Sequence, residues 1–410
     1  MWKRAVVFGV LPVLSAPSFI SNAALHAQDA SVRTADSILG KPFHMFLGSV
    51  SAAETEERDS LIRKALEDIH SSGNALVTDS CVHFLYAGPA QSVFVPSDMN
   101  AWQPGEDRMI NLEGTDLFHL TLPLPHGARL EYKFIVDFVW MMDPANSRKA
   151  LGGYGYNSEL WMPGYTPPPE ISEQVGIERG SLDTLAFTSD TLGRTHPVFV
   201  YLPARYSGGT TALESIWVTD GGEYLTLGHM KTVLDNMIHA RRIRPVVAIF
   251  IDPRTDPNDS RTSRRMEDYS LHSPFLNALI SELRPRILRE YRIESGPGVI
   301  MGASMGGLFS TYAVVTRPDV FYGSAAQSPA YWWESGAIFD LVKKRGPTAG
   351  KFYIDTGTIR DAQAESNRMY HVLLELDCTV TYSEYPEGHN PVNWRARIDD
   401  ILEYFFPASR

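Results

Sequence analysis

Residues 298–315 read GVIMGASMGGLFSTYAVV, an apolar run that ends in Gly302-Ala303-Ser304-Met305-Gly306 and continues into a helix-like stretch. A serine hydroxyl is a weak nucleophile unless a turn exposes it and a base takes its proton. Glycines two places before and two places after Ser304 permit a turn so tight that larger side chains would collide there. Such a strand–turn–helix unit lifts the serine oxygen above the end of the strand. The backbone N–H of the next residue, Met305, is then one candidate donor to an oxyanion. A second is expected from the loop after an early strand, DGGEY at 220–224, with Gly222 as the candidate.

The serine needs an imidazole. Where a serine elbow sits among alternating strands and helices, the chain order is serine, acid, histidine. Only His371 and His389 follow Ser304. His371 falls in the helical stretch AESNRMYHVLLEL, where a packing or surface role accounts for it. His389 falls in EYPEGHNPVNWR, a loop directly after the last strand-like run, and is the expected base. The orienting acid should follow the strand KFYI, within DTGTIRDAQAE. Asp361 is favoured because it has the reach to the far imidazole nitrogen. Asp355 at the strand end, suited to bracing the glycine turn, and Glu365 at the start of the next helix are the alternatives.

These residues require a scaffold. From residue 176 to 410 the runs PVFVYLP, SIWVTD, VVAIFID, GVIMGAS, SAAQS, KFYID and TVTYSEY alternate with helical stretches. That alternation predicts a mainly parallel sheet covered by helices on both faces. Residues 76–165 instead carry short alternating strands, VHFLYA, SVFVPS, FHLTLPL and ARLEYKFIVD, parted by turn clusters, which is the pattern of a β-sandwich. The proline-rich MPGYTPPPE marks the junction, with a linker at 166–175. Within the helical segment 28–75, Leu61, Ile62, Ala65, Leu66 and Ile69 share one face. Residues 1–27 have a positive start, an apolar run and small residues near Ala27, the layout of a secretory signal peptide. Export to the periplasm or the medium is the expectation.

Composition narrows the classes. The 410 residues are 44% apolar and 21% charged, with a formal net charge of −11, which opposes a nucleic-acid partner. No later segment approaches 18 uninterrupted apolar residues, so a stable membrane span is not expected. Cys81 and Cys378 are far apart in the chain and are read as two unpaired thiols. DPRTDPNDS at 252–260 lacks the glycine and terminal glutamate of a calcium loop. The twelve histidines show no ligand spacing, so neither a metal nor another cofactor is expected.

From about residue 170 onward the chain resembles the esterase D-type α/β-hydrolases, which include enterochelin (siderophore) esterases, feruloyl esterases and mycolyltransferases. The matching pieces are PVFVYLPARY, WVTDGGEYL, IFIDPR, FLNALISELRPRI, GASMGGLFSTYAV, FYGSAAQSPAYWW and EYPEGHNPVNWR. The resemblance implies Ser304 as nucleophile, His389 as base, and Gly222 and Met305 as oxyanion donors. Because the family's acid follows a glycine turn like Thr356-Gly357-Thr358, it also favours Asp361. Residues 76–165 resemble a glycogen-binding-type carbohydrate module through SDMNAW, ARLEYKFIVD, VWMMDPAN and GGYGYNSEL. In that module the positions matching Trp102, Lys133, Trp140 and Asn157 contact sugar, by ring stacking and hydrogen bonds to hydroxyls. VDFVW departs from the module's glycine-containing turn, and in esterases such domains also act as scaffold or as a wall over the active site.

The expected architecture is therefore an α/β-hydrolase fold with an N-terminal immunoglobulin-like β-sandwich. Arg254, Arg264 and Arg265 precede the helix at 274 and are candidates to pair with an anionic substrate. Trp332 and Trp333 are candidate walls of an aromatic acyl pocket. The expected function is an exported serine carboxylesterase that cleaves a siderophore ester, a small molecule, through an acyl-enzyme. Alternatives are a feruloyl or acetyl esterase acting on polysaccharide, an acyltransferase, and a carbohydrate-binding protein whose hydrolase domain is secondary.

Overall fold

The β-branched and aromatic runs after residue 180 assemble into one eight-stranded sheet. Its strands are β1 (Ser181–Ser189), β2 (Arg194–Leu202), β3 (Ser215–Val218), β4 (Val247–Ile251), β5 (Gly298–Ala303), β6 (Phe321–Gln327), β7 (Lys351–Gly357) and β8 (Thr379–Tyr385). The order is β1-β2-β4-β3-β5-β6-β7-β8. β2 is antiparallel to both β1 and β4, and all later pairings are parallel. This architecture comes from a computed structural model that describes residues 41–271, 274–346 and 349–408. The leader-like residues 1–27 and the first part of the 28–75 segment lie outside the described residues.

The central strands β3, β4 and β5 are buried along their whole length, as a sheet covered on both faces requires. Alternate residues of β4 feed two separate cores. Ile249 and Ile251 join Phe275, Leu308, Phe309 and Phe339 on one side. Ala248 and Phe250 join Met237, Ile401, Leu402 and Phe405 on the other. β1 was not expected from the sequence. It is an edge strand with mostly exposed side chains, so its apolar alternation is faint.

Residues 43–161 form two helices and three small sheets, every pairing antiparallel. Helix Thr55–Ser72 turns its Ala65 and Ile69 inward and ends at Gly73, whose φ of 64° supplies the left-handed stop. The run ARLEYKFIVD, expected as one strand, divides into Arg129–Tyr132 and Phe134–Val136, which belong to different sheets. Its first half is buried at all four positions. Leu130 and Tyr132 enter the core of the β-rich region. Arg129 and Glu131 instead face the C-terminal loop that carries His389, where Arg129 donates to Asn390. Both cysteines are free thiols. Among the described residues no helix is long and apolar enough to cross a membrane.

Candidate active site

β5 delivers Ser304 to the end of the sheet, and helix Met305–Thr316 begins at the next residue. Ser304 holds φ 57° and ψ −116°, a backbone state that costs a non-glycine residue about 1–3 kcal/mol and persists only where the surroundings impose it. Three hydrogen bonds impose it. The Ser304 N–H donates to Gln327 O at 2.8 Å, and its carbonyl accepts from Leu308 N–H at 3.0 Å and Ala330 N–H at 2.9 Å. The flanking glycines have distinct steric reasons. A Cβ on Gly302 would run into Thr219 Oγ1 and the Gly306 backbone, and one on Gly306 would meet the Thr219 side chain.

His389 lies beyond β8, and its Nδ1 is 2.6 Å from Asp361 Oδ1. Asp361 follows β7 after the glycine turn and has a fully buried side chain. Its Oδ2 accepts from Ser328 Oγ and from the Gly357 N–H, both at 2.6 Å. Burial pulls the Asp361 carboxyl upward, but the hydrogen bonds from His389, Ser328 and Gly357 outweigh it and hold the group below its ordinary value. The alternatives stand elsewhere. Asp355 is buried against Gln327 Nε2 at 3.2 Å, and Glu365 lies on helix Gln363–Glu375. The glycine turn assigned to Asp355 is braced by Asp361 instead, because only the longer loop brings a carboxylate onto the Gly357 N–H.

Asp355 has a measurable signature of its own. Burial pushes its carboxyl up to about 8, against the pull of Arg397 and Gln327. A carboxyl whose folded pKa lies above its unfolded value binds more protons when folded, so its stabilising share is present at low pH and is lost as pH rises toward 8. The melting temperature should therefore fall from about pH 4 to about pH 8 and level off above it, and Asp355→Asn should make that decline shallower. An unchanged slope in the variant, measured by thermal melts across this range, would show Asp355 already ionised in the folded protein.

The two expected oxyanion donors occupy first-turn positions, where backbone N–H groups have no partner within their own helix. Met305 opens helix Met305–Thr316, and Gly222 is the second residue of helix Gly221–Thr226. A Cβ at position 222 would push into the Asp252–Arg254 ion pair, meeting Asp252 Oδ2 and Arg254 Nη2.

Ser304 and His389 open onto one cavity of about 820 Å³. Trp102, Lys133, Trp140 and Asn157, the four positions matched to sugar contacts, line this same cavity together with Tyr154. The β-rich region thus walls the space above the serine rather than presenting those residues elsewhere. Arg254 and Arg265 also line it, but each is committed to a carboxylate. Arg254 is bidentate to Asp252, at 2.8 and 2.6 Å, while Arg265 holds Asp220 at 2.9 and 3.0 Å and donates to Ala303 O at 2.8 Å.

Three of the substrate-binding candidates fall outside the cavity lining. Arg264 pairs with Glu267 at the surface. Trp332 is exposed, and Trp333 packs against the hydrophobic core. After Ser328 the chain bends so that Tyr331, not either tryptophan, is buried, and Trp333 starts a helix leading away. Sequence reasoning missed Trp394, which meets His389 edge-on at 5.1 Å and donates its indole N–H to Ser328 Oγ at 3.0 Å. It also missed Asp98, Glu131, Glu223 and Asn390, all on the cavity wall. Trp394 and Asn390 lie within five residues of His389, which is the signal that could have found them.

A serine on a strand–helix elbow, sharing one cavity with a histidine fixed by a buried carboxylate, at the C-terminal end of a sheet ordered in this way, defines an α/β-hydrolase. Residues 189–405, more than half of the chain, match the family described as "Putative esterase". The chain belongs to that family and is a carboxylic ester hydrolase of the serine type. It is 23% identical over 324 residues to the Iron(III) enterobactin esterase of Escherichia coli K12, covering 74% of this chain and 76% of that one. To the enzyme of the same name from Dickeya dadantii it is 26% identical over 340 residues, covering 70% and 77%. The enterobactin esterase of Shigella flexneri, crystallised in the presence of enterobactin, superposes with a TM-score of 0.67 at 20% identity, covering 80% of this chain and 93% of that one.

Proposed function

We propose that this protein hydrolyses a siderophore-type aromatic ester, with Ser304 as nucleophile, His389 as base and Asp361 as the acid that orients it. Ser304 Oγ attacks the ester carbonyl carbon while its proton passes to His389 Nε2, and the Nδ1 side is held by Asp361. The oxyanion settles between the N–H groups of Met305 and Gly222. As the ester bond breaks, the proton on Nε2 goes to the leaving alkoxide. Water then repeats the sequence on the acyl-enzyme and releases the acid.

The observation that carries the substrate class is the cavity's composition. Its volume of about 820 Å³ accommodates a drug-sized ester, and Trp102, Trp140, Tyr154 and Trp394 supply aromatic faces for an aromatic acyl group. The enterobactin esterases among its relatives support the same reading. Lys133 is the one cavity cation whose side chain makes no hydrogen bond or ion pair among the described residues, which makes it the natural partner for an anionic substrate.

A second reading is favoured by one feature. Asp98, Glu131, Asp220, Glu223 and Asp252 all line the cavity; all but Glu223 are engaged by neighbouring residues, so Glu223 and the Asn157 amide oxygen are the groups that meet a polyhydroxylated substrate. Burial, reinforced by Asp220, pushes the Glu223 carboxyl up to about 7. On this reading the ester joins an aromatic or acetyl group to a sugar. Chromatography of products from enterobactin and from a feruloylated sugar, each incubated with the purified protein, separates the two. Turnover of enterobactin alone supports the siderophore reading, turnover of the sugar ester alone replaces it, and failure on both overturns both.

A further inference from the structure

The turn at 97–100 is tied down by the Asn100 side chain. Asn100 Oδ1 accepts from the Ser97 N–H at 2.9 Å, and Asn100 Nδ2 donates to Val95 O at 2.9 Å and Asp107 Oδ2 at 2.8 Å. It holds Asp98, whose side chain is buried beside the active-site cavity. Asp98 Oδ1 accepts from the indole N–H of Trp102, a cavity wall, at 3.1 Å. Its Oδ2 accepts from the Glu131 N–H at 2.8 Å and from Asn390 Nδ2 at 3.0 Å.

Asn390 directly follows His389. On the other side of the histidine, Gly388 is pressed so closely onto Asp98 that a Cβ there would sit 2.6 Å from Asp98 Cβ and Cγ. Both neighbours of His389 therefore rest on the same side chain, Asp98. The same face of the β-rich region grips the rest of the loop. The Arg129 N–H donates to Pro386 O at 3.2 Å, and Arg129 Nη1 donates to Asn390 Oδ1 at 2.7 Å. Arg360, next to Asp361, donates to Met99 O at 3.2 Å, so the acid's loop rests on this turn as well.

We infer that Asp98 is a positioning residue: it sets His389 over Ser304 and ties that placement to the cavity wall at Trp102. The β-rich region is on this view a part of the catalytic apparatus, not only a cover. The inference rests on His389 being the base. A displacement of the order of 1 Å from outside the reacting groups can cost about 10²-fold in rate. Asp98→Ala removes both the acceptor for Asn390 and the support under Gly388, whereas Asp98→Asn keeps an oxygen for Asn390 and most of the bulk. Asn390→Ala removes the same bond from the histidine's side, together with the bond from Arg129 and the cap on the Asn393 N–H.

The experiment measures kcat and KM for p-nitrophenyl acetate per active site titrated with a fluorophosphonate, with melting curves alongside. Asp98→Ala and Asn390→Ala should each lower kcat by about 10²-fold with KM within about threefold, and the double variant should be little worse than either alone. Asp98→Asn should regain most of the loss. If Asp98→Ala does not fold, Asn390→Ala decides alone, and a kcat there within about threefold of the parent overturns the inference. Titrated enzyme whose kcat stays within about threefold of the parent in both alanine variants overturns the inference, whatever happens to stability. A His389→Ala control separates the two levels. Surviving activity there removes the base assignment itself, while a dead control beside an active Asp98→Ala removes only the positioning role.

Discussion

Ser304→Ala is expected to lower kcat for every ester the protein hydrolyses by about 10⁵- to 10⁶-fold, leaving only the residue of catalysis that oxyanion donors and binding provide. The fold should be indifferent. The backbone bonds that fix the elbow, from Ser304 N–H to Gln327 O and from Ala330 N–H to Ser304 O, do not involve the hydroxyl. The melting temperature should stay close to that of the parent, so a loss of rate cannot be assigned to unfolding. Steady-state kinetics with p-nitrophenyl acetate, paired with thermal melts, read both quantities. A variant that keeps substantial activity would mean that the nucleophile lies elsewhere in the cavity.

Asp361→Asn is the second large effect, about 10⁴-fold in kcat, because an amide can hold the imidazole in place yet select the wrong tautomer. The surroundings of Asp361 favour that outcome. Its Oδ2 accepts from both Ser328 Oγ and the Gly357 N–H, against the single Ala362 N–H on Oδ1, which places the oxygen of an asparagine on the Oδ2 side. The amide NH₂ then faces His389 Nδ1 and donates to it, so the proton of the neutral ring moves to Nε2, the atom that must accept from Ser304. Binding of substrate should change little, and the loss should appear in kcat rather than KM. Equal activities of variant and parent would return Asp355 or Glu365 to consideration as the acid.

The elbow was legible because every constraint on it is local: an apolar strand, glycines at 302 and 306, and a helix that starts at once. The placement of His389 beyond the last strand follows from chain order, and Asp361 comes within 2.6 Å of it as the loop after β7 folds back. The cavity walls were not legible in the same way. Trp332 and Trp333 follow the strand after the elbow helix, yet the bend after Ser328 carries them off. Trp102, Trp140 and Tyr154, far upstream, are brought over the serine by the packing of the β-rich region.

Arg129 and Glu131 show the underlying difficulty. In the strand RLEY they alternate with Leu130 and Tyr132, which reads as a solvent-facing side. They are instead fully buried, because that side meets the His389 loop and Glu159 in a paired cluster of charges. Periodicity tells which residues share a face. It does not tell what covers that face. Edge strand β1 failed for the converse reason, since an exposed edge leaves little apolar pattern to read.

The assignment of Ser304 is tested most directly by intact-mass spectrometry of the protein after reaction with a fluorophosphonate, followed by peptide mapping. The expected result is a single adduct on Ser304, absent from Ser304→Ala and formed far more slowly in His389→Ala. A protein that hydrolyses esters while its adduct maps to another residue, or while it takes up no label at all, would contradict a catalytic Ser304.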